Sequence, residues 1–234
     1  LRTRTFAFAA ASGAALLAVA ALPATARDAR RSVAPALSAE GSVSAADLLG
    51  KVEGCSQISH GKYRTDAQAA ATVPVCGKNG AVFWKADLDI VCDGRTSRAC
   101  NKNTDPWFQP DTSFHQSDDQ PLSAEKLPFV VVPSPGPVWN YASSGIKGGS
   151  VAAVIYRNKV VYAVVGDTGP SGIIGEASYA TAKALGMDPD PKTGGADSGV
   201  TYILFKGSEV NPIESHGAAV RLGNRLARRF VANN

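Results

Sequence analysis

The sequence predicts a mainly β domain, a small barrel with attached helices and disulfide-bound loops. Strand-like runs outnumber helix-like ones, and no strand–helix–strand alternation appears that would build a doubly wound parallel sheet. The clearest strand pair, Val151–Tyr156 and Val160–Val165, is apolar and β-branched on both sides of the polar turn Arg157-Asn158-Lys159. The 4 cysteines, at 55, 76, 92 and 100, all precede residue 101, so covalent staples belong to the loop-rich first half.

Taken in order, residues 1–26 read as a secretory signal. Arg2 and Arg4 form a positive start, Phe6–Leu22 is an apolar run, and Ala24-Thr25-Ala26 is a small-residue cleavage site. A membrane anchor is the other reading of that run, but the cleavage site favours removal, with no membrane attachment afterwards. Residues 27–43, rich in Ala, Ser, Arg and Pro, read as a disordered leader or pro-segment. Residues 44–234 then read as a single domain, long enough for a sizeable core. Ser44 is set to cap a short helix at Ala45–Leu49, with Gly50 as its stop. Residues 55–80 are mostly irregular, with a short helix expected around Asp66–Ala71. Ala81–Trp84 begins a strand that Ile90–Cys92 can continue. Residues 95–120 make a long polar loop, of the kind that is usually functional or flexible. Phe129–Val132 is a short strand between Pro128 and Pro133, and residues 134–149 are again a loop. The strand pair is followed by a helix-like run at Tyr179–Leu185 closed by Gly186, a strand at Val200–Phe205 and an amphipathic helix over Pro212–Phe230.

Between the strand pair and the first of those helices lies the most informative stretch, Gly166-Asp-Thr-Gly-Pro-Ser-Gly-Ile-Ile-Gly-Glu-Ala-Ser178. Asp167 stands just past a buried strand, and Glu176 just before a helix with Ser178 as N-cap. Two carboxylates at the rim of a rigid core can act as general acid and general base. The same residues also suit an Asx-turn and a helix-dipole partner, so the pair gains weight only with the rest of the chain.

A second acidic set lies in Phe83-Trp-Lys-Ala-Asp-Leu-Asp-Ile-Val-Cys-Asp-Gly94. Alternation puts Asp87 and Asp89 on one strand face. Val91 and the late Gly94 break an EF-hand pattern, and no metal site is assigned. What remains is an irregular calcium site, a turn stapled by Cys92, or a subsite for a cationic sugar in which Trp84 stacks on the ring and the acids pair the amines. Trp107, Trp139 and Tyr141 lie in polar loops, where they suit sugar stacking or loop anchoring. Three cysteine pairings exist; Cys55–Cys76 with Cys92–Cys100 is favoured because each closes a local loop. The spacings match neither a zinc site nor a redox motif. His60, His115 and His216 are dispersed and are not read as catalytic. The formal charge of +4 falls by two once Arg2 and Arg4 leave with the signal. With no basic stripe interleaved with aromatics, nucleic acid is not an expected partner, and Arg221, Arg225, Arg228 and Arg229 read as a solvated helix face. No oligomer interface is visible, and a monomer is expected.

Three motifs resemble family 75 of the glycoside hydrolases, the secreted chitosanases of filamentous fungi and actinobacteria. They are Phe83-Trp-Lys-Ala-Asp-Leu-Asp with Cys92-Asp-Gly, Val161-Tyr-Ala-Val-Val-Gly-Asp-Thr-Gly169, and Ile174-Gly-Glu-Ala-Ser178. The resemblance runs from about Cys55 to Lys206, with a shorter link between the second and third motifs than in fungal members. It implies that Asp167 and Glu176 are the essential carboxylates. It also implies a secreted, endo-acting enzyme that inverts at β-1,4 bonds of glucosamine polymer and needs no cofactor. Trp84, Lys85, Asp87, Asp89, Asp93 and Thr168 are the expected substrate contacts, the acids pairing the ammonium groups of chitosan. Glu176 is expected to be the acid and Asp167 the base, since Glu has the higher reference pKa and Ile173 and Ile174 can raise it. A second resemblance concerns the fold. Asp167 to Pro170 after a strand, then an acid, Ala-Ser and an alanine-rich helix ending in Leu185-Gly186, is similar to double-psi β-barrel wall proteins of the rare-lipoprotein-A and expansin type. It implies a six-stranded double-psi barrel from Phe129 through Phe205. It also supplies a rival function: binding or loosening wall polysaccharide, or a lytic transglycosylase using one acid.

Overall fold

The computed structural model describes residues 40–234; the expected signal at 1–26 and the leader up to residue 39 lie outside the described residues. In chain order the elements are α1 (Ala45–Leu49), β1 (Ser56–Gln57), β2 (Cys76–Lys78), β3 (Ala81–Val91), β4 (Phe129–Pro133), a 3₁₀ turn at Tyr141–Ser144, β5 (Val151–Tyr156), β6 (Lys159–Gly169), β7 (Glu176–Ser178), α2 (Tyr179–Leu185), β8 (Ala196–Phe205) and α3 (His216–Asn233). Strands β3, β7, β4, β6, β5 and β8 pair in that order, and β8 returns to β3, closing a six-stranded barrel. β1 and β2 extend from β3 as a side flap. Pairing is parallel between β3 and β7 and between β4 and β6, and antiparallel around the rest of the ring. Closure leaves none of these six strands with a free edge. The predicted mainly β barrel forms with one change: its sixth strand is β3, upstream of Phe129.

Alternation along β3 sends Val82, Trp84, Ala86, Leu88 and Ile90 into the barrel, where they meet apolar residues from the other five strands. Trp84 stacks on Tyr202 at 5.3 Å between ring centroids and meets Trp139 edge-on at 6.2 Å. Trp84 is 1% exposed and Trp139 4%, so neither ring offers a face to a sugar. The expectation of stacking on Trp84 is corrected here. An indole at an inward position of a closed barrel gains far more from burial than an exposed face would.

α3 covers the outer side of β5 and β6. Ala219, Gly223, Ala227 and Phe230 recur at helical spacing and are buried. A side chain at Gly223 would run into the Tyr162 ring, so the glycine sets how closely the helix approaches. The helix is 18 residues long and is shifted along the chain from the expected Pro212–Phe230, starting at His216 and ending at Asn233. Its four arginines face solvent, as the sequence suggests.

Ser178 is the internal rivet. Its Oγ accepts from Thr181 N–H at 3.2 Å as the α2 cap, accepts from Phe129 N–H at 3.0 Å and donates to Leu127 C=O at 2.8 Å. Residues 40–43, placed in the leader by sequence, join the fold. Glu40 N–H donates to Val160 C=O at 3.2 Å, its carboxylate accepts from Tyr162 N–H at 2.9 Å, and Val43 is buried. Asp66–Ala71 forms turns and bends rather than a helix. The disulfides are Cys55–Cys76 and Cys92–Cys100, the favoured pairing.

Candidate active site

An irregularity in β6 decides where Asp167 points. Val165 lies opposite Val130 on β4, but the next pair is Asp167 opposite Val131, with Gly166 left over. One extra residue flips everything after it to the other face of a strand. Strict alternation would send Asp167 inward behind Val161, Ala163 and Val165. The bulge instead brings it to the outer face, beside Val131. Glycine is required at the bulge, because a Cβ on Gly166 would lie 2.6 Å from Phe129 Cβ and 2.8 Å from Leu122 Cδ1.

Glu176 reaches the same face by a different route. The parallel pairing of β3 and β7 sets Asp89 directly against Glu176, and the next pair, Ile90 and Ala177, points inward. Glu176 Oε2 lies 2.5 Å from where a Cβ on Gly169 would be, so the missing side chain of Gly169 is the space the carboxyl fills. Gly169 stands two positions beyond Asp167, about 7 Å along a strand. Glu176, Asp89 and Asp93 line a cleft of about 320 Å³ together with Asp105, Trp107 and Lys192. Trp107 is 84% exposed at its rim, the one loop tryptophan left in the open.

The carboxyls differ in setting. Asp167 is 7% exposed, and its Oδ1 accepts from Ser113 N–H at 2.8 Å, Ser113 Oγ–H at 2.7 Å and Thr168 N–H at 2.7 Å. Burial raises its pKa above the ordinary carboxylate value, and these three donors oppose the rise. Glu176 has no hydrogen-bond donor among the described residues. Burial, then the charges of Asp89, Asp93 and Asp167, push it up to about 7. Asp93 accepts from Gln109 N–H at 2.6 Å and is pushed up to about 6, chiefly by burial.

Apart from Trp84 in the core, the predicted substrate contacts fall in four settings. Asp89 and Asp93 line the cleft beside Glu176. Thr168 follows Asp167, with its Oγ1 2.6 Å from Ser113 Oγ. Lys85 is exposed on the outer face of β3, outside the lining of the cleft. Asp87 shares that face, as alternation requires, but it is 4% exposed and packs its carboxyl against Gly175, whose Cβ position it occupies. Its Oδ1 has no hydrogen-bond partner among the described residues, and burial, then the charge of Asp89, raises its pKa to about 7. Asp87 therefore supports the backbone just before Glu176 and is not placed to touch a polymer. Tyr202 acts on the same backbone from inside the barrel, donating to Asp87 C=O at 2.8 Å and Gly175 C=O at 3.1 Å. None of the three histidines lines the cleft; His115 bridges Asp111 and Asp119, and His216 meets Glu40. Sequence reasoning missed Ser113, which lies 54 residues before Asp167 in a polar loop with no motif to mark it. Gly169 had a signal, the spacing of glycines between the two acids.

The family model described as fungal chitosanase of glycosyl hydrolase group 75 matches residues 88–229. Endo-chitosanase C of Aspergillus oryzae is 34% identical over 160 residues, covering 66% of this chain and 37% of its own length. A second endo-chitosanase of Aspergillus oryzae is 31% identical over 150 residues, 59% of this chain and 60% of its own. An endo-chitosanase of Aspergillus fumigatus is 28% identical over 192 residues, 75% of this chain and 79% of its own. The chain thus spans less than two thirds of the length of the first two relatives. The matched region holds Asp89, Asp93 and Glu176, which line the cleft, and Asp167 on the outer face of the barrel. On this match over more than half its length, the chain belongs to the fungal chitosanase family of glycosyl hydrolase group 75.

Proposed function

We propose that this protein is a secreted, endo-acting chitosanase that hydrolyses β-1,4 bonds between glucosamine units with inversion, with Glu176 as general acid and Asp167 as general base. The observation that carries the reading is the opposite setting of two carboxyls on one barrel face. Glu176, with no donors and three carboxylate neighbours, holds a proton to about pH 7. Asp167, with three donors on one oxygen, suits the ionised form. Inversion needs the pair roughly 6.5–9.5 Å apart, with room for a water. The seat of Glu176 Oε2 over Gly169, two strand positions beyond Asp167, supports placing the two acids near each other on one face.

In this scheme Glu176 gives its proton to the glycosidic oxygen as the C1–O bond breaks. Asp167 takes a proton from a water whose oxygen bonds C1 from the opposite face. Both return to their starting states by exchange with solvent. The scheme needs no cofactor. Asp89 and Asp93 offer negative charge to the ammonium groups of chitosan, and Trp107 offers a ring to stack on a sugar. The names of the relatives support this substrate. Two disulfides fit an exported protein, and no described helix is long and apolar enough to cross a membrane. A monomer is the working state.

Reducing-end release from soluble chitosan, by the parent and by Glu176→Gln, tests the reading. Cleavage by the parent alone is expected. Equal release by both moves the site elsewhere. Release by neither, with polymer still bound, favours a wall-binding barrel instead.

A further inference from the structure

We propose that Ser113 is a positioning residue for Asp167: it fixes one carboxylate oxygen so that only the other faces the attacking water. The inference rests on Asp167 being the base. All three hydrogen bonds to Asp167 converge on Oδ1, two of them from Ser113 and one from Thr168 N–H. Oδ2 has no partner among the described residues. Exchange of the two oxygens by rotation would break all three bonds at once, so the carboxylate is held in one orientation.

The hydroxyl protons can be assigned by elimination. An ionised carboxylate only accepts, so Ser113 Oγ spends its one proton on Oδ1. The 2.6 Å contact between Ser113 Oγ and Thr168 Oγ1 then runs from threonine to serine. Thr168 N–H also points at Ser113 Oγ, at 3.2 Å. Thr168 is thereby a member of this chain of donors rather than a sugar contact.

The loop bearing Ser113 is anchored on both sides. Buried Thr112 accepts from Leu122 N–H at 2.9 Å and donates to Phe114 C=O at 2.9 Å. His115 sits between Asp111 at 2.8 Å and Asp119 at 3.3 Å. The long polar loop thus sets the catalytic base from outside the barrel.

The test compares parent, Ser113→Ala, Ser113→Thr and Asp167→Asn for kcat and KM on soluble chitosan across the acid limb of the pH profile. The other acids around Asp167, namely Asp93, Asp111 and Glu176, are the same in the Ser113 variants. Ser113→Ala is expected to lower kcat about tenfold with KM nearly unchanged, the loss of one charge-assisted hydrogen bond. It should also move the acid limb up by about one pH unit. Ser113→Thr should restore both. Parental kcat and limb in Ser113→Ala overturn the proposal, as does a lowered kcat with an unmoved limb, which marks a merely structural role. If the alanine variant does not fold, Ser113→Cys, a weak donor of similar size, carries the same test, and a parental profile overturns the proposal. Activity retained by Asp167→Asn identifies a different failure, that of the base assignment itself.

Discussion

Asp167 on β6 and Glu176 on β7 flank β4 on one barrel face, and the protein treats them in opposite ways. Asp167 is reached by a bulge, sunk below the surface and given three hydrogen-bond donors on one oxygen. Glu176 is reached by regular pairing, seated in the gap left by Gly169 and surrounded by Asp89, Asp93 and Asp167 without a donor. Burial raises both pKa values, and hydrogen bonding separates them. In the proposed scheme, two chemically similar side chains become a base and an acid through environment alone, so that one fold runs both halves of a hydrolysis near neutral pH.

Removing either partner breaks this contrast most completely. Glu176→Gln and Asp167→Asn should each lower kcat by about 10²–10⁴-fold in reducing-end assays, with polymer binding retained. The thermal melt of Glu176→Gln gives a further readout. Folding raises the pKa of Glu176 from 4.5 to about 7, so the folded state holds that proton more tightly than the unfolded chain. The resulting destabilisation is absent below the unfolded value, grows as pH rises through the window and is complete above about 7. The glutamine variant should therefore melt higher than the parent at neutral pH and gain nothing in acid.

Gly169→Ala attacks the geometry without touching a charge. The added methyl would meet Glu176 Oε2 at 2.5 Å and displace the carboxyl. A shift of this kind should cost about 10²-fold in kcat, with the fold intact by circular dichroism.

The two tryptophans separate substrate contact from core. Trp84→Ala should destabilise the barrel by about 3–5 kcal/mol, seen in denaturant melts. Trp107→Ala should leave the melt unchanged and weaken chitosan binding by about 1 kcal/mol, seen as a several-fold rise in KM.

The smallest effect tunes the acid. Asp93→Asn removes a negative neighbour, so the pKa of Glu176 should fall and the alkaline limb of kcat/KM should move from about 7 to lower pH. An unmoved limb would show that Asp93 does not act on Glu176.

The parts of this arrangement that were legible in the sequence are those written in local pattern. The β5–β6 pair, Ser178 as cap, Gly186 as stop and the two short disulfide loops all follow from nearby residues. The two acids were legible as well, because the stretch between them is dense in glycine. What local pattern did not reveal depends on partners far along the chain. The acids in β3 look like a break, yet it runs unbroken as an 11-residue strand because its outer face borders the cleft. The bulge at Gly166 becomes visible only once β4 is laid beside β6. Trp84 was misread because it stands beside the acids in sequence, although strand alternation puts it on the opposite face from Asp87 and Asp89, inside the barrel. Ser113 and residues 40–43 gain their roles only from chain distant in sequence.

The most direct test of the central contrast is a carboxyl-carbon NMR titration of Asp167 and Glu176 in the same folded protein, assigned with the two single variants. The account predicts that Glu176 titrates near 7 and Asp167 at lower pH. Asp167 titrating above Glu176 would contradict it and exchange the acid for the base.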